Sequence, residues 1–309
     1  MAGKVMLATS RSTMASGSGA VRSVLRLLSC IRLGEVLALQ GSPLLGALFS
    51  IGRITTERGV ALLLLAAGSC CLVAHVFVLN DWCGMSTDLH DPNRTTGVFT
   101  TKGIRRSEIG YLWTALLALS LPILSFRGWR TLVIALVIAG LSALYSAPAF
   151  HMKGVPLLSS ALHFIGGLLH FLLGYSLFSA IDWRGLEIGC FFALVFVAGH
   201  LTHEARDHQG DLLNAIRTNA VMFGEARSFA AGLAVFTIAD VLLVVLAARG
   251  IVPRVLVLVA ALYPLHLYWS LRTWRAGLTF ESIRRLQVRY RALYAAIGIL
   301  MVAALLLTQ

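Results

Sequence analysis

The stretch that decides the fold is residues 60–94, VALLLLAAGSCCLVAHVFVLNDWCGMSTDLHDPNR. Residues 60–79 contain no Asp, Glu, Lys or Arg, and as a helix they are long enough to cross about 30 Å of hydrocarbon. Three carboxylates, Asp81, Asp88 and Asp91, follow at once. A charged group beside a bilayer core costs several kcal/mol unless something compensates it, so this junction predicts a functional site.

The rest of the chain repeats the apolar pattern. Hydrophobic residues make up 58% of the 309 residues and charged residues 13%, against about 25% charged in soluble domains. The sequence therefore predicts an all-α polytopic membrane protein, a bundle of nine transmembrane helices with Asp-rich cytoplasmic loops, because long uniform runs do not suit barrel strands. The nine apolar runs are approximately 34–52, 60–79, 109–126, 131–149, 157–180, 186–203, 228–248, 251–271 and 290–308.

The basic residues predict the orientation. Nine spans place the termini on opposite sides, and nineteen of the 26 Lys and Arg residues lie on the N-terminal side. By the positive-inside rule that side is cytoplasmic, and both acid-rich segments face it. We expect a multi-pass protein of the cell inner membrane. The same distribution explains the net charge of +12 by anionic membrane lipid, and it excludes a nucleic-acid partner.

Residues 1–33 form a separate segment ahead of the nine-helix domain at 34–309. They contain no acid, which suits either a transit peptide or an amphipathic helix on the membrane surface. We favour the surface helix, over residues 21–32. The five cysteines lie in or near apolar runs without metal-ligand spacing and are expected to act as small hydrophobic residues.

A second acid-rich segment begins where the sixth apolar run ends. Glu204, Asp207 and Asp211 stand at i, i+3 and i+7, so a helix places them on one face. Unpaired, the three carboxylates would repel one another, and a bound Mg²⁺ removes that conflict. The spacing thus predicts a magnesium site.

The first segment offers the same chemistry. It offers Asn80, Asp81, Asp88 and Asp91. Asp81 and Asp88 share a face if the helix persists, although Gly84 and Pro92 predict that it loosens into a loop, which would still let the carboxylates converge. The alternative without a metal is a structural salt-bridge network, in which the acids of both segments pair with the basic residues near them.

Basic side chains on the same predicted side point to phosphate. Metal-bound carboxylates beside free cations would neutralise a diphosphate leaving group, and a cavity between helices would hold a long apolar tail. The candidate cations are Arg94, Lys102, Lys153 and Arg217.

The motifs resemble those of a known family. Asn80-Asp81-x₆-Asp88 followed by Arg94 is similar to the first aspartate-rich motif of the UbiA superfamily of intramembrane prenyltransferases. Glu204-x-x-Asp207-x-x-Gly210-Asp211, with its tail at 217–224, resembles the second motif. Leu144-Tyr145-Ser146-Ala147-Pro148-x₄-Lys153 resembles the Tyr-Ser-x-Pro segment after the fourth helix. The resemblance covers about residues 32–224.

The resemblance implies a function. Mg²⁺ held by the two segments would bind an isoprenyl diphosphate, whose allylic cation alkylates a lipophilic acceptor, such as an aromatic compound or quinone precursor. Tyr145 would face the developing cation and Arg94, Lys102, Lys153 and Arg217 would hold the diphosphate. Asp81, Asp88, Asp207 and Asp211 would be the catalytic acids. The metal ligands would be Asn80, Asp81, Asp88, Glu204, Asp207 and Asp211.

The chain departs from the family pattern at several positions. Gly84 replaces the middle Asp of the first motif, with Asp91 as a substitute, and Glu204 stands where Asp is commoner. His163 and His170 lie where members often carry polar side chains such as Asn. Each is expected to pack between helices, or to deprotonate the acceptor or the product.

Other functions use the same residues. An intramembrane terpene cyclase would ionise the same diphosphate and quench the cation within its own chain. A transporter would place its acids near the middle of the membrane and show paired repeats, whereas here the acids lie at one face. A catalytically inactive prenyl-lipid scaffold would explain Gly84.

Overall fold

The computed structural model describes residues 24–126 and 128–307. Within these ranges nine helical segments are long and apolar enough to span a membrane, as predicted, and no strand occurs. They are α1 Leu33–Ser50, α2 Thr56–His90, α3 Arg106–Ser125, α4 Trp129–Ser146, α5 Leu158–Tyr175, α6 Trp183–Leu213, α7 Glu225–Ala248, α8 Arg254–Arg275 and α9 Phe280–Leu307.

Two of these helices extend beyond their apolar runs. Helix α2 has 35 residues and α6 has 31, and both acid-rich segments lie in their last turns rather than in loops. The expectation that α2 loosens at Gly84 was wrong, because one glycine costs a helix interior only about 1 kcal/mol. The helix continues to His90, and Asp91 is its C-cap, directly before Pro92. Carboxylate positions are therefore fixed by helical geometry.

Sequential helices pack into one bundle. Helix α2 contacts α3, α6 contacts both α5 and α7, and α1 crosses α5. The α1–α5 crossing depends on glycine, since a Cβ on Gly46 would lie 2.1 Å from the Phe171 carbonyl oxygen and one on Gly174 would lie 1.7 Å from that of Pro43. Small residues allow such backbone approach in membrane bundles.

The N-terminal segment is only partly described. The predicted surface helix at 21–32 begins outside the described residues, and residues 24–28 are helical. Leu27 and Ile31 pack against Val78 and Phe99 near the end of α2, whereas Leu25 is 61% exposed. The surface helix thus stays a prediction. All five cysteines lie in the described ranges and carry free thiols.

Candidate active site

A polar cavity of about 160 Å³ lies where α2 and α4 end. Asn80, Gly84 and Asp88 of α2 form one wall, because positions i, i+4 and i+8 lie along one helical face. Lys153 and Arg94 reach it from the loops that follow α4 and α2. The first acid-rich segment and two predicted cations therefore meet at one opening.

Asp81 does not line the cavity. It lies one position beyond Asn80, and its carboxylate pairs with Arg32 before α1, where the Arg32 Nε–Asp81 Oδ2 distance is 3.2 Å. Arg32 also lies 3.6 Å from Glu35. Because α2 is continuous, Asp81 and Asp88 lie within about 20° of each other around the helix, but each carboxylate has a different arginine partner. Asp81 ties the N-terminal segment to the site.

Arg94 joins the two acid-rich segments. Its Nη1 lies 3.2 Å from Asp88 Oδ1, its Nε lies 3.6 Å from Asp91 Oδ2, and its Nη2 pairs with Asp207 of α6. Burial by itself would lower the pKa of the Arg94 guanidinium, but the carboxylates of Asp207 and Asp88 raise that pKa above its ordinary value. Arg94 therefore stays charged at any relevant pH.

Two further contacts hold the ends of α2 and α6 together. A Cβ on Gly210 would lie 2.3 Å from Asp91 Oδ2, so a larger residue at 210 would displace the Asp91 side chain from α6. The Asn214 amide nitrogen donates to the Thr87 carbonyl oxygen at 3.0 Å. Asp91, which was suggested as a substitute metal ligand, is 4% exposed and forms this joint.

The second segment divides between two functions. Asp207 pairs with Arg94 and with Arg206, and Asp211 lies 3.4 Å from Lys153 Nζ. Glu204 does not join them, although i, i+3 and i+7 spacing predicted one face. Arg94 thus joins Asp88 to Asp207, and Lys153 connects Asp211 to the same cavity.

Glu204 instead anchors the loop after α6. Its Oε2 accepts from the Asn219 backbone nitrogen at 3.1 Å and from the Asn219 side chain at 2.8 Å. Its Oε1 lies 3.1 Å from His200 Nε2 and accepts from Ser159 at 3.3 Å. These contacts engage both carboxylate oxygens and give Glu204 a structural role, and metal binding by Glu204 stays a prediction.

Two predicted diphosphate ligands lie away from the cavity. Lys102 is exposed at the end of a 3₁₀ turn, Phe99–Lys102. Arg217 is also exposed, and its Nε lies 3.3 Å from Met222 Sδ. Neither lines the cavity, because each loop turns its side chain outward. Arg94 and Lys153 remain the candidate cations there.

Aromatic and imidazole rings lie beside the end of α4. The Tyr145 ring contacts His163 edge-on at 4.9 Å between centroids, and His163 stacks on His200 at 3.6 Å. Phe196 lies 5.7 Å from His163 and 6.2 Å from His170. His163 Nδ1 is bonded to the Ser159 carbonyl oxygen at 2.8 Å, and His170 Nδ1 to that of Gly166 at 2.9 Å. Both histidines thus have a packing role, and an acid–base role stays a prediction.

Sequence reasoning missed three participants, Arg32, His151 and His200, whereas Arg206 belonged to the alternative salt-bridge network. Arg32 meets Asp81 only through tertiary packing, but His200 lies four residues before Glu204 on α6, a spacing that indicates contact on a helix. Arg206 directly precedes Asp207, but neighbouring residues on a helix do not face each other. His151, which lines the cavity, follows the Tyr-Ser-x-Pro segment and could have been noted there.

The residues at the cavity fit a magnesium ion. The Asn80 amide nitrogen donates to Ser146 Oγ at 3.0 Å, which leaves its carbonyl oxygen for a cation beside the Asp88 carboxylate. Among the described residues no three His, Cys, Asp or Glu side chains form a complete metal site by themselves. The oxygen donors of Asn80 and Asp88 are of the kind that Mg²⁺ uses, since the ion takes one or two protein carboxylates and completes its coordination with water and phosphate oxygens.

Comparisons with known proteins concern the family and the fold of the chain. The model of the UbiA prenyltransferase family matches residues 41–286. No curated protein matches the sequence. A UbiA homologue from Archaeoglobus fulgidus, solved with GPP and Mg²⁺, is 17% identical with a TM-score of 0.64, covering 90% of this chain and 99% of that chain.

Two other solved structures show the same fold. The apo UbiA homologue from Aeropyrum pernix K1 is 18% identical, with a TM-score of 0.69, covering 87% of this chain and 98% of that chain. A digeranylgeranylglyceryl phosphate synthase is 18% identical with a TM-score of 0.66, covering 92% and 99%. At these identities the structural likeness shows the fold alone.

Proposed function

Because the chain belongs to the UbiA prenyltransferase family, we propose that it transfers an isoprenyl group from an isoprenyl diphosphate to a lipophilic acceptor within the membrane, with Mg²⁺. The observation that carries this is that Asp88, Arg94 and Lys153 line one cavity, while Asp207 and Asp211 pair with its two cations, Arg94 and Lys153. Two solved homologues from Archaeoglobus fulgidus hold GPP or DMAPP with Mg²⁺, which supports the same donor class here.

The residues suggest a division of tasks. Asn80, Asp88, Asp207 and Asp211 would hold Mg²⁺, which neutralises phosphate oxygens when bound. Arg94 and Lys153 would bind the diphosphate and stabilise its charge as the carbon–oxygen bond breaks. The Tyr145 ring, near the end of α4, would face the allylic cation. The acceptor carbon then forms the new bond, and its proton leaves to solvent or a nearby base.

Orientation and location belong to the same proposal. The N-terminus and the cavity mouth would face the cytoplasm of a cell inner membrane, which the distribution of Lys and Arg supports, and the charged diphosphate end of the donor would enter from that side. The isoprenyl tail and the acceptor would enter from the lipid.

A terpene cyclase is the second candidate. The ring cluster of Tyr145, His163 and Phe196 favours it, because aromatic faces stabilise carbocations during an intramolecular cyclisation. Gly84 also removes one carboxylate that the transferases of the family usually carry.

One experiment separates these functions. Purified protein is incubated with Mg²⁺ and geranyl, farnesyl or geranylgeranyl diphosphate, with or without a panel of aromatic and quinone-precursor acceptors. Mass spectrometry of the lipid extract should show a prenylated acceptor, and diphosphate release should require that acceptor. A hydrocarbon formed without acceptor would indicate cyclisation, and no diphosphate release in any mixture would rule out both.

The carboxylate that is missing from the first motif at Gly84 leads to a prediction. A Cβ there would have room, with its nearest neighbour, Asp88 Oδ2, 3.6 Å away. We expect Gly84→Asp to lower the Mg²⁺ concentration for half-maximal diphosphate release by about fivefold, since a carboxylate on the cavity wall attracts the cation. Gly84→Asn, which adds a similar shape without charge, is the control and should change it by less than about twofold. Equal effects of Asp and Asn would show that charge at this position does not matter.

A further inference from the structure

The carboxylate of Asp207 is paired with Arg206, the residue that directly precedes it on α6. Arg206 Nε donates to Asp207 Oδ1 at 2.7 Å and Nη2 donates to Oδ2 at 2.9 Å, so the guanidinium contacts both carboxylate oxygens. Such two-point pairing fixes the plane of a carboxylate as well as its charge. Adjacent residues on a helix point about 100° apart, and something outside α6 must therefore hold Arg206 in place.

That support comes from α9. Arg206 Nη1 donates to Gln287 Oε1 at 2.7 Å, and the Arg206 guanidinium lies 5.4 Å from the centroid of the Phe280 ring. Both residues belong to the last helix, which contains none of the three motifs. The Arg206 guanidinium thus contacts the Asp207 carboxylate on one side and two residues of α9 on the other.

Gln287 is unusual for its surroundings. Its exposed fraction is 2%, and its neighbours Ile283, Leu286 and Tyr290 belong to a buried apolar cluster. Among the described residues its amide nitrogen forms no hydrogen bond of standard geometry. The hydrogen bond that Gln287 does form uses its side-chain oxygen, which accepts from Arg206.

We propose that Gln287 is a positioning residue: from α9 it holds Arg206 against Asp207, and so sets the orientation in which that carboxylate meets a divalent cation at the cavity. This rests on the proposed function for its metal. Groups that orient metal ligands typically change metal affinity 10- to 100-fold when removed. The last helix thereby takes part in the site without lining the cavity.

The test measures Mg²⁺ binding separately from turnover. The full chain in detergent is titrated with Mg²⁺ at fixed inorganic diphosphate, and the rise in melting temperature gives the half-saturating Mg²⁺ concentration. We expect Gln287→Leu to raise that concentration about tenfold, whereas Gln287→Glu, which keeps an oxygen for Arg206, stays within about threefold of wild type. Gln287→Asn, which withdraws the oxygen by one methylene, should behave like Gln287→Leu and replaces it if the leucine variant does not fold.

A matched control is available in α1. Gln40 is also buried, and its amide donates to the Val36 carbonyl oxygen at 2.9 Å, far along the chain from Arg206. Gln40→Leu should leave the half-saturating Mg²⁺ concentration unchanged even if it alters the melting temperature. In turnover assays Gln287→Leu should shift the Mg²⁺ dependence more than the KM for acceptor.

The outcomes are distinct. An unchanged Mg²⁺ half-saturation in folded Gln287→Leu or Gln287→Asn, or equal impairment by Gln287→Glu, would overturn the positioning role. A wild-type protein that binds Mg²⁺ and diphosphate but cleaves no donor would refute the proposed function, and the binding comparison would still decide Gln287. No Mg²⁺-dependent stabilisation of wild type would overturn both.

Discussion

The double variant Asp207→Asn, Asp211→Asn is expected to lose diphosphate release by at least about a thousandfold, since single groups that stabilise transition-state charge are worth about 10²–10³. Both carboxylates lie with cations of the cavity, Asp207 with Arg94 and Asp211 with Lys153. Asparagine keeps the size of each side chain and removes its charge. The variant should therefore fold but hold neither Mg²⁺ nor the cations in place. The readout is diphosphate release per enzyme with a donor and acceptor that the wild type uses.

The control for this variant is Asp240→Asn. Asp240 is another buried helical carboxylate, but its partner is the Tyr294 hydroxyl at 3.1 Å within α7 and α9. Its activity should stay within about threefold of wild type, because it touches none of the cavity residues. If the double variant at 207 and 211 still turns over at a comparable rate, the metal–diphosphate site is wrong.

Arg94→Gln is expected to have the second largest effect, a fall in kcat/KM of about a hundredfold. Arg94 is the cation shared by Asp88, Asp91 and Asp207, and it also lines the cavity. The substitution removes a positive charge that would stabilise the diphosphate. It also leaves the three carboxylates close together without the guanidinium that pairs with them. The folded protein should then depend on Mg²⁺, since the ion relieves their repulsion.

The measurement pairs kinetics with thermal unfolding. Added Mg²⁺ should raise the melting temperature of Arg94→Gln more than that of wild type, and Arg94→Lys should recover part of the activity because it keeps charge but not the three-way fork. Arg285→Gln is the control, because Arg285 pairs only with Glu281 on the exposed start of α9. A variant at Arg94 with wild-type kcat/KM and no added response to Mg²⁺ would exclude its role as the shared cation.

Much of the fold followed from local patterns. Runs of about 20 apolar residues have one stable form in hydrocarbon, a spanning helix, and all nine were predicted in order. The sequence also indicated Asp88, Arg94, Lys153, Asp207 and Asp211, because charged groups at the ends of such runs need a common partner. Those five residues meet at or beside one cavity.

Several predicted site residues contact partners outside the cavity. Asp81 and Glu204 lie within about 20° of Asp88 and Asp211 around their helices, but Asp81 pairs with Arg32 and Glu204 with Asn219. Lys102 and Arg217 lie on loops, whose side-chain directions no periodic pattern fixes. Helical spacing gives the angle between side chains, but not which neighbour occupies that direction.

The sequence by itself determined the membrane class, the nine helices, the family resemblance and the polar ends where chemistry was expected, because hydrophobic length and helical period act over a few residues. Only the tertiary structure decided that Arg94 joins α2 to α6, that Glu204 anchors a loop and that Gln287 supports Arg206. Arg94 and Gln287 meet partners 113 and 81 residues away along the chain, and such pairs are selected by packing of whole helices rather than by local spacing.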